Sequence, residues 1–235
     1  MNNTTSNLKI YIDGPTQDEM IELSDKEIAG FTFNPTLFKS LGVKDYLDYS
    51  KEVQKISNDL PISLEVIGDN YEEMVSQGRI LSSLGDNVYV KIPITYTSGE
   101  STLDAIITLS EEGINLNITA ILSMQQIEKI LPSIKNTHSI ISVFAGRIYD
   151  IGFDAKILMK DMASYVHANS HCSILWASPR MHFDALSAQE AGCDIITMTN
   201  SMYKKMSLLG KPPKQYSLET VKMFFDDAKA SGFEL

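Results

Sequence analysis

Cysteine and long apolar runs are both scarce in this chain of 235 residues. It has two cysteines, Cys172 and Cys193, and its opening residues 1–8 (MNNTTSNL) hold no apolar segment of the kind that forms a secretory signal. These features lead us to expect a reducing, cytoplasmic location. No apolar run approaches the roughly 18 residues that mark a membrane-spanning helix, so a membrane protein is not expected.

Positive charge is also in short supply. Twenty lysines and arginines stand against 30 aspartates and glutamates, which gives a formal net charge of −10 at pH 7. Proteins that bind nucleic acid usually present a basic surface, and anionic membranes attract one. Neither nucleic acid nor a membrane is therefore an expected partner. With 43% hydrophobic and 21% charged residues, the composition is that of an ordinary globular protein.

The chain does contain a regular alternation of short β-branched runs and segments with helical spacing. Several of these runs are continuously apolar, as in Val88–Val90, which is typical of strands buried on both faces of a parallel sheet. The eight predicted strands are Lys9–Asp13, Gly30–Asn34, Ile62–Ile67, Asn87–Pro93, Ile114–Thr119, Ser139–Phe144, Ser173–Ser178 and Asp194–Thr199.

Helix signals fall between the predicted strands. Ser123 is a typical N-terminal cap, and Pro132 is expected to end the helix that follows it. Near the C-terminus, the basic stretch Lys204–Gln215 contains Pro and Gly and is expected to lead to a last amphipathic helix over 217–230. Residues 207–235 are therefore expected to form a linker and an extra helix.

Eight strand–helix units of about 25 residues each predict a closed (β/α)8 barrel. The alternative is an open, doubly wound sheet, which typically has a glycine-rich first turn. The first turn of this chain, Asp13–Thr16, lacks the pattern GxGxxG. We therefore predict an α/β protein with a single barrel domain over 1–235 and the extra C-terminal helix.

Two charged residues lie inside apolar strands. Lys91 is embedded in VYVKIPI, and Glu65 is embedded in the preceding strand. One interpretation is that Lys91 lies at a frayed strand end and reaches water. Because Glu65 is so near, we favour a buried lysine beside a carboxylate, an arrangement that tunes an amine to attack a carbonyl. Other polar residues at predicted strand ends are Asp13, Asn34, Asn117, Thr119, Ser142 and Ser178.

Arginine is rare, with only Arg79, Arg147 and Arg180 in the chain. Arg147 and Arg180 follow strands 6 and 7 at the mouth of the predicted barrel. There a guanidinium group can bind phosphate or carboxylate, although a surface ion pair is the alternative for each. Arg79 is expected on a helix, in such an ion pair. The four histidines lack metal-ligand spacing, so no metal site is predicted.

Seven short segments carry a resemblance to a known family. They are KIYID (9–13), GFTFNPTLF (30–38), ISLEV (62–66), VYVKIPIT (88–95), GINLNITAILSMQQ (113–126), ISVFAGRI (141–148) and ILWASPR (174–180). In this order and spacing the chain resembles the transaldolase family in its short form, which also includes the fructose-6-phosphate aldolases. Each segment alone is a weak signal, but together they span nearly the whole chain.

The resemblance implies a Schiff-base mechanism without metal or cofactor. Lys91 matches the imine-forming lysine, Glu65 the carboxylate that acts through a water, and Thr119 the hydroxyl that helps hold that water. Asp13 matches the acid/base that takes the proton of the C4 hydroxyl. Asn34 and Asn117 match residues that bind the dihydroxyacetone hydroxyls, with Ser142 near C1, and Thr32 and Phe144 are further candidate substrate-binding residues. The residues that match the phosphate site are Arg147, Ser178 and Arg180.

Glu65 and Phe144 match the transaldolase side of the family, because fructose-6-phosphate aldolases typically carry Gln and Tyr there. The sequence also departs from the family pattern at several positions near the predicted mouth, which leaves the donor and acceptor sugars open. These positions are Phe33, Tyr96, Val143 and Pro179.

Three functions stay open. The leading one transfers a dihydroxyacetone unit from a ketose phosphate to an aldose phosphate; the second is an aldolase that releases dihydroxyacetone. The third is a catalytically silent barrel that binds sugar phosphates, because fold alone does not establish activity. The presence of Asp13, Glu65, Lys91 and Thr119 argues against the third. The resemblance also implies a homo-oligomeric ring, a pentamer or decamer, in which the C-terminal helix reaches a neighbouring subunit.

Overall fold

Eight parallel strands close into one barrel in a computed structural model that describes residues 8–23 and 26–234. Each strand pairs with the next along the chain, and the last pairs with the first. This arrangement confirms the predicted (β/α)8 architecture. The strands are β1 (Lys9–Asp13), β2 (Gly30–Thr32), β3 (Ile62–Glu65), β4 (Val88–Pro93), β5 (Leu116–Ile121), β6 (Ile140–Val143), β7 (Ser173–Trp176) and β8 (Ile195–Met198). Residues 1–7, which bear on the expected absence of a signal sequence, lie outside the described residues.

Helices surround the barrel and follow its strands. They are α1 (Gln17–Leu23), α2 (Pro35–Ser40), α3 (Tyr46–Ile56), α4 (Tyr71–Ser82), α5 (Leu103–Glu111), α6 (Met124–Ile134), α7 (Ala145–Asp150), α8 (Ala155–Asn169), α9 (Asp184–Glu190), α10 (Asn200–Lys205) and α11 (Pro213–Ser231). A 3-10 turn, Met206–Leu208, follows α10. Within the described residues, no helix combines the length and the apolar character needed to cross a bilayer.

The main core lies between the strands and the helices, and a second, smaller cluster fills the inside of the barrel. Tyr11 belongs to this inner cluster with apolar residues of β6, β7 and β8. Gly30 makes room for it, since a Cβ at that position would lie 2.8 Å from the Tyr11 ring and 2.7 Å from the Pro61 carbonyl oxygen. This cluster extends to Ala177 after β7, and Phe144 after β6 packs against it.

Helix α6 does not end at Pro132 as expected. The helix begins at the predicted Ser123 cap, whose hydroxyl accepts the Gln126 N–H while the Gln126 side chain accepts the Ser123 N–H. It then continues through Pro132 to Ile134, although an interior proline costs about 3 kcal/mol. The apolar stripe that includes Ile127 and Ile134 is buried, and full burial of each such side chain contributes about 1.5–3 kcal/mol. Packing therefore outweighs the cost of the proline.

Strand ends differ from the predicted ones where the barrel opens. β2 and β7 end at Thr32 and Trp176, two residues early, so Asn34 and Ser178 lie in the following loops. β5 runs on to Ile121, and its register with β6 shifts between Ile118 and Ile121. Ala120 lies in this irregular stretch with a left-handed φ of 61°. Such shifts at a barrel rim change which side chains face the mouth.

The C-terminal helix begins earlier than predicted. α11 starts at Pro213, inside the stretch that was expected to be a linker, and ends before Gly232. Proline is favoured in the first turn of a helix, because its missing N–H has no partner there in any case. None of the residues of α11 is buried. The extra helix therefore presents its apolar residues to solvent in the single chain.

Candidate active site

A cavity of about 440 Å³ opens at the C-terminal ends of the strands. Its walls hold many of the side chains that the sequence singled out: Asp13, Asn34, Glu65, Lys91, Thr119, Phe144, Arg147 and Ser178. The remaining lining residues are Pro35, Thr36, Leu37, Ala120, Ala177 and Thr197. This end of a (β/α)8 barrel is where active sites form.

Lys91 and Glu65 form an ion pair inside the cavity. Their Cα atoms are register partners on β4 and β3, and Lys91 Nζ lies 3.1 Å from Glu65 Oε2. Only 7% of the Lys91 side chain is exposed. The Tyr46 hydroxyl donates to the Glu65 carbonyl oxygen at 2.6 Å and anchors the end of β3. Lys91 is thus a buried amine beside a carboxylate, not a lysine at a frayed strand end.

Asp13 ends β1 in the wall of the same cavity. Burial raises the pKa of its carboxyl group, while the Lys91 charge and a hydrogen bond from Thr32 act in the opposite direction. Thr32 Oγ1 donates to Asp13 Oδ1 at 2.7 Å and lies 2.5 Å from Thr197 Oγ1. A carboxyl group with a raised pKa inside a cleft is suited to proton transfer.

Thr119 supplies an unpaired hydroxyl to the cavity. Its side chain is buried, and its Oγ1 has no hydrogen-bond partner among the described residues. Buried hydroxyl groups are usually hydrogen-bonded, so this one suits a water or a substrate atom. Thr119 pairs with Pro93, two residues beyond Lys91, and both Thr119 and Lys91 line the cavity.

Asn117 and Ser142 are buried in the barrel, do not line the cavity, and are hydrogen-bonded to each other. Ser142 Oγ donates to Asn117 Oδ1 at 2.6 Å, and Asn117 Nδ2 donates to Ser63 Oγ at 3.0 Å. This network fixes the orientation of the Asn117 amide. Asn34 has a different local role, because its Oδ1 accepts the Leu37 N–H at 3.0 Å and caps α2.

The two arginines at the mouth differ in their partners. Arg147 lines the cavity, and its guanidinium carbon lies 5.7 Å from the centre of the Phe144 ring. Arg180 forms the surface ion pair that was its alternative: Nε donates to Asp150 Oδ1 at 2.9 Å, and Nη2 donates to Oδ2. Its Nη1 also donates to both oxygens of Ser178 at 3.0 Å. Asp150 therefore competes for the guanidinium that was predicted to bind phosphate, and hydrogen bonding from Arg180, together with its charge, lowers the pKa of Asp150.

Close contact between α7 and the loop after β7 holds Ser178 at the mouth. A Cβ on Gly146 would lie 1.7 Å from the Ser178 carbonyl oxygen, so only glycine fits at the start of α7. Ser178 itself has a left-handed φ of 58°, which is strained for a residue with a side chain. The glycine and the strained serine together bring the loop after β7 against α7.

Other predicted residues lie outside the cavity. Arg79 pairs with Glu112 on the surface, at 2.9 Å between Nε and Oε2, as expected for a helix position. The four departures from the family pattern, Phe33, Tyr96, Val143 and Pro179, do not line the cavity. Phe33 and Val143 are fully buried. Within the described residues, no group of three or more His, Cys, Asp or Glu side chains is placed to hold a metal ion.

Sequence reasoning missed three residues around the site: Ser63, Asp150 and Thr197. Thr197 lies in the apolar run IITM of β8, in register with Tyr11 of β1. Alternation along the strand places it on the same side as Ile195, whose side chain faces the barrel interior. That alternation was the available signal for Thr197. Ser63 and Asp150 carry no comparable signal in the sequence.

Comparison with protein families and curated proteins gives consistent matches. Residues 10–235 match the family model described as Transaldolase/Fructose-6-phosphate aldolase. A "Probable transaldolase" of Hydrogenobaculum sp. is 37% identical over 193 residues, which cover 81% of this chain and 85% of that protein. Proteins with the same name from Thermoplasma acidophilum and Ruegeria sp. are 35% and 31% identical. Their matches cover 94% and 97% of this chain and 96% and 100% of those proteins.

Solved structures with much lower identity share the barrel. A dihydrodipicolinate synthase from Rhodopseudomonas palustris superposes with a TM-score of 0.60 at 12% identity, over 94% of this chain and 79% of that one. A deoxyribose phosphate aldolase from Aeropyrum pernix gives 0.58 at 12% identity, over 87% and 91%. At this identity the likeness concerns the fold alone.

Proposed function

This chain belongs to the transaldolase/fructose-6-phosphate aldolase family, and we propose that it is a metal- and cofactor-free transaldolase with a Schiff-base mechanism. It moves a dihydroxyacetone unit from a ketose phosphate, sedoheptulose 7-phosphate or fructose 6-phosphate, to an aldose phosphate. The observation that carries the proposal is the buried Lys91 amine, 3.1 Å from the Glu65 carboxylate in a cavity that Asp13 also lines.

The first step is imine formation at Lys91. The neutral amine attacks the C2 carbonyl of the ketose, and the carbinolamine then loses water to give an iminium ion. Glu65 moves the protons of this step through a water molecule, which the free Thr119 hydroxyl helps to hold. Only the neutral amine of a lysine attacks a carbonyl carbon, so the ammonium form must first lose a proton.

Asp13 performs the proton transfer that breaks the C3–C4 bond. Its carboxylate takes the proton of the C4 hydroxyl, the electron pair of the C3–C4 bond moves to the iminium group, and the aldehyde leaves. The enamine that remains on Lys91 attacks the acceptor aldehyde, and Asp13 returns the proton to the new hydroxyl. Water then hydrolyses the iminium ion. The raised pKa of Asp13 suits a group that takes and returns a proton.

The remaining polar side chains bind the substrate in this proposal. The Asn34 and Asn117 amides bind hydroxyl groups of the dihydroxyacetone unit. The Asn34 carbonyl oxygen accepts the Leu37 N–H, so its amide nitrogen is left for the substrate. The Asn117 nitrogen already donates one hydrogen to Ser63 Oγ and has a second hydrogen for the substrate. Thr32 and Ser142 support the same end of the substrate, with Ser142 near C1.

Arg147, Ser178 and Arg180 surround the phosphate. The Arg147 guanidinium already lines the cavity, whereas Arg180 has to share its guanidinium with Asp150. Planar guanidinium groups match phosphate geometry, and Ser178 adds a hydroxyl donor. We propose that these three side chains bind the anionic end of the sugar.

Phe144 favours transfer over release. It lines the cavity and has no hydroxyl group, so it supplies no proton to the enamine. A tyrosine there would place an acid near the enamine and favour its protonation, which releases free dihydroxyacetone. The Phe144→Tyr variant therefore serves as a matched control for the parent enzyme.

The test is an assay with fructose 6-phosphate in the presence and absence of erythrose 4-phosphate. We expect sedoheptulose 7-phosphate to form faster than free dihydroxyacetone is released, and Phe144→Tyr to shift this ratio towards release. If free dihydroxyacetone is released without an acceptor as fast as sedoheptulose 7-phosphate forms with one, the chain is an aldolase. A chain that binds the sugar phosphates but forms neither product would be a silent barrel.

We propose in addition that the enzyme is a ring-shaped homo-oligomer, a pentamer or decamer, in which α11 packs on a neighbouring subunit. Leu218, Val221, Phe224 and Phe225 on α11 each expose more than half of their surface in the single chain. Burial of such side chains stabilises by about 1.5–3 kcal/mol each.

The two free cysteines suit the reducing cytoplasm, which is the location we propose.

A further inference from the structure

We infer that Thr197 is a positioning residue, which acts through the hydroxyl of Thr32 to orient the Asp13 carboxylate for proton transfer. This inference rests on the proposed role of Asp13 as the acid/base of the cleavage step. It assigns a function to a β8 residue that lines the cavity and that neither the Schiff-base chemistry nor phosphate binding uses.

Three side chains on adjacent strands form the hydrogen-bonded chain. Thr32 Oγ1 donates to Asp13 Oδ1 at 2.7 Å, and the Thr32 and Thr197 hydroxyl oxygens lie 2.5 Å apart. A threonine hydroxyl has one proton to donate. Because Thr32 gives its proton to Asp13, Thr197 must be the donor to Thr32. Both hydrogen bonds therefore point towards the carboxylate.

Barrel register holds this chain in place. β1 lies between β8 and β2; Asp13 pairs with Thr32 on one side, and Tyr11 pairs with Thr197 on the other. Both threonines are buried, and β-branched side chains have restricted χ1 rotation. The donors are thus aligned before any substrate arrives.

One carboxylate oxygen of Asp13 is occupied and the other remains for the reaction. Within the described residues, the hydrogen bond from Thr32 is the one that Asp13 accepts, and it goes to Oδ1. Oδ2 is therefore the atom assigned to take the C4 hydroxyl proton. Donation to a carboxylate favours its charged form, and the charged form is the base. The donor chain partly offsets the effect of burial.

Few charges act on Asp13 from the surrounding strands. Lys91 on β4 is the charged group that lowers its pKa. The other ionisable groups that line the cavity are Glu65, which is paired with Lys91, and Arg147. A change confined to Thr197 leaves all of these charges in place, so an altered titration can be attributed to the donor chain.

The experiment compares the pH dependence of donor cleavage in Thr197→Val, Thr197→Ser and the parent, by rapid quench under single-turnover conditions. Thr197→Val leaves the Thr32 hydroxyl without its donor, so the hydrogen bond from Thr32 to Asp13 weakens and the pKa of the cleavage step should rise, by up to roughly one unit. The valine variant should therefore cleave more slowly on the acid side, while the rate of imine formation is unchanged. The serine variant keeps the hydroxyl and should follow the parent.

Ser139→Ala is the matched control. It breaks another pair of hydroxyl groups, the buried Ser139 with the partly buried Thr137 at 2.6 Å, before the start of β6 at the opposite end of the barrel. Its pH profile should coincide with that of the parent, although it loses a comparable hydrogen bond. If Thr197→Val does not yield a folded barrel, Thr197→Ala removes the same hydroxyl with a smaller side chain and gives the same readout.

The Asp13→Asn variant tests the role of Asp13 as the base separately from the role of Thr197. If that variant cleaves the donor as fast as the parent does, Asp13 is not the base and the proposed function loses this step. If Asp13→Asn is slow but Thr197→Val has the parent's pH profile, Asp13 keeps its role and the inference about Thr197 is wrong. A shift in Thr197→Val that Ser139→Ala shares would also contradict it.

Discussion

At the scale of single residues, Asp13 shows how its proposed catalytic role opposes stability. Burial raises the pKa of its carboxyl group, which means that the ionised form is less favourable in the folded barrel than in water. Asp150 has the opposite character, because its pairing with Arg180 lowers its pKa. Replacement of each by asparagine removes the charge and changes the shape little. Between pH 8 and pH 5 the stability of Asp13→Asn relative to the parent should change with pH, whereas that of Asp150→Asn should not, because a carboxyl group with a lowered pKa stays ionised there.

We predict that Asp13→Asn melts at a higher temperature than the parent at pH 8, because the parent must hold an unfavourable buried charge there. As the pH falls through the raised pKa, the parent takes up a proton in the folded state, and the advantage of the variant shrinks. Asp150→Asn should show no gain at pH 8, since Asp150 stabilises when ionised. Melting curves from pH 8 to pH 5 measure both, and a parallel response of the two variants would contradict the account.

The same Asp13 variant should lose activity. General acid–base groups contribute about 10²–10⁴-fold, so cleavage should slow by that order while imine formation persists. Glu65→Gln is the paired comparison and should slow imine formation and hydrolysis instead. Rapid-quench kinetics with borohydride separate the steps. Equal impairment of imine formation in both variants would refute this division of roles.

The arginines at the mouth give a prediction about phosphate. Loss of one charge-assisted partner costs about 1.5–3 kcal/mol, so Arg147→Ala and Arg180→Ala should raise KM for a phosphorylated donor about ten- to 150-fold. Asp150→Asn frees the Arg180 guanidinium and should lower that KM. Steady-state kinetics with the phosphorylated and unphosphorylated ketose measure the effect. If both arginine variants discriminate between the two donors as well as the parent does, these side chains do not bind phosphate.

At the scale of secondary-structure elements, the contact between the β7 loop and α7 determines where Ser178 and Arg180, the proposed phosphate-binding residues of that loop, lie. Ser178 and Arg180 are carried by this loop, and Gly146 is the point at which α7 touches it. A side chain at Gly146 cannot be accommodated by rotation of a flexible neighbour, because the clash is with backbone.

We therefore predict that Gly146→Ala displaces the β7 loop and raises KM for the phosphorylated donor, with a smaller effect on the unphosphorylated one. Gly85→Ala is the control: its nearest clash is with the end of the flexible Gln54 side chain, which can move. Kinetics with both donors and melting curves test this. A Gly146→Ala enzyme with the parent's KM would show that the contact does not position the site.

The sequence predicted which strands and helices form better than it predicted the residues at which they begin and end. Apolar runs and helical spacing are local patterns, so all eight strands and the last helix could be found. The partner of Arg180 could not, because Asp150 lies 30 residues away and its approach depends on how α7 packs. Thr197 was hidden for another reason: a single threonine in an apolar strand does not reveal whether its hydroxyl meets a partner on a neighbouring strand. Pro213 looked like part of a linker, yet it begins α11.

At the scale of the whole molecule, α11 is the part that the single barrel does not use. It has 19 residues, and none of them is buried. Its exposed apolar residues make it costly to leave in water, and closed symmetry is the common way for identical chains to bury such surface.

We predict that the full chain forms an oligomer of at least five subunits and that truncation after Lys214 weakens it. Light scattering coupled to size exclusion measures the mass of both forms. Borohydride trapping on the truncated chain is the control, since a folded barrel should still form the imine. A stable monomer of the full-length chain would contradict the proposed assembly.

The central claim is that Lys91 forms an imine with the substrate. The direct measurement is borohydride reduction in the presence of fructose 6-phosphate, followed by peptide mapping by mass spectrometry. We predict that a dihydroxyacetone-derived mass is added to Lys91 and that Lys91→Met abolishes both the label and turnover. A label on another lysine, or turnover that persists in Lys91→Met, would contradict the account.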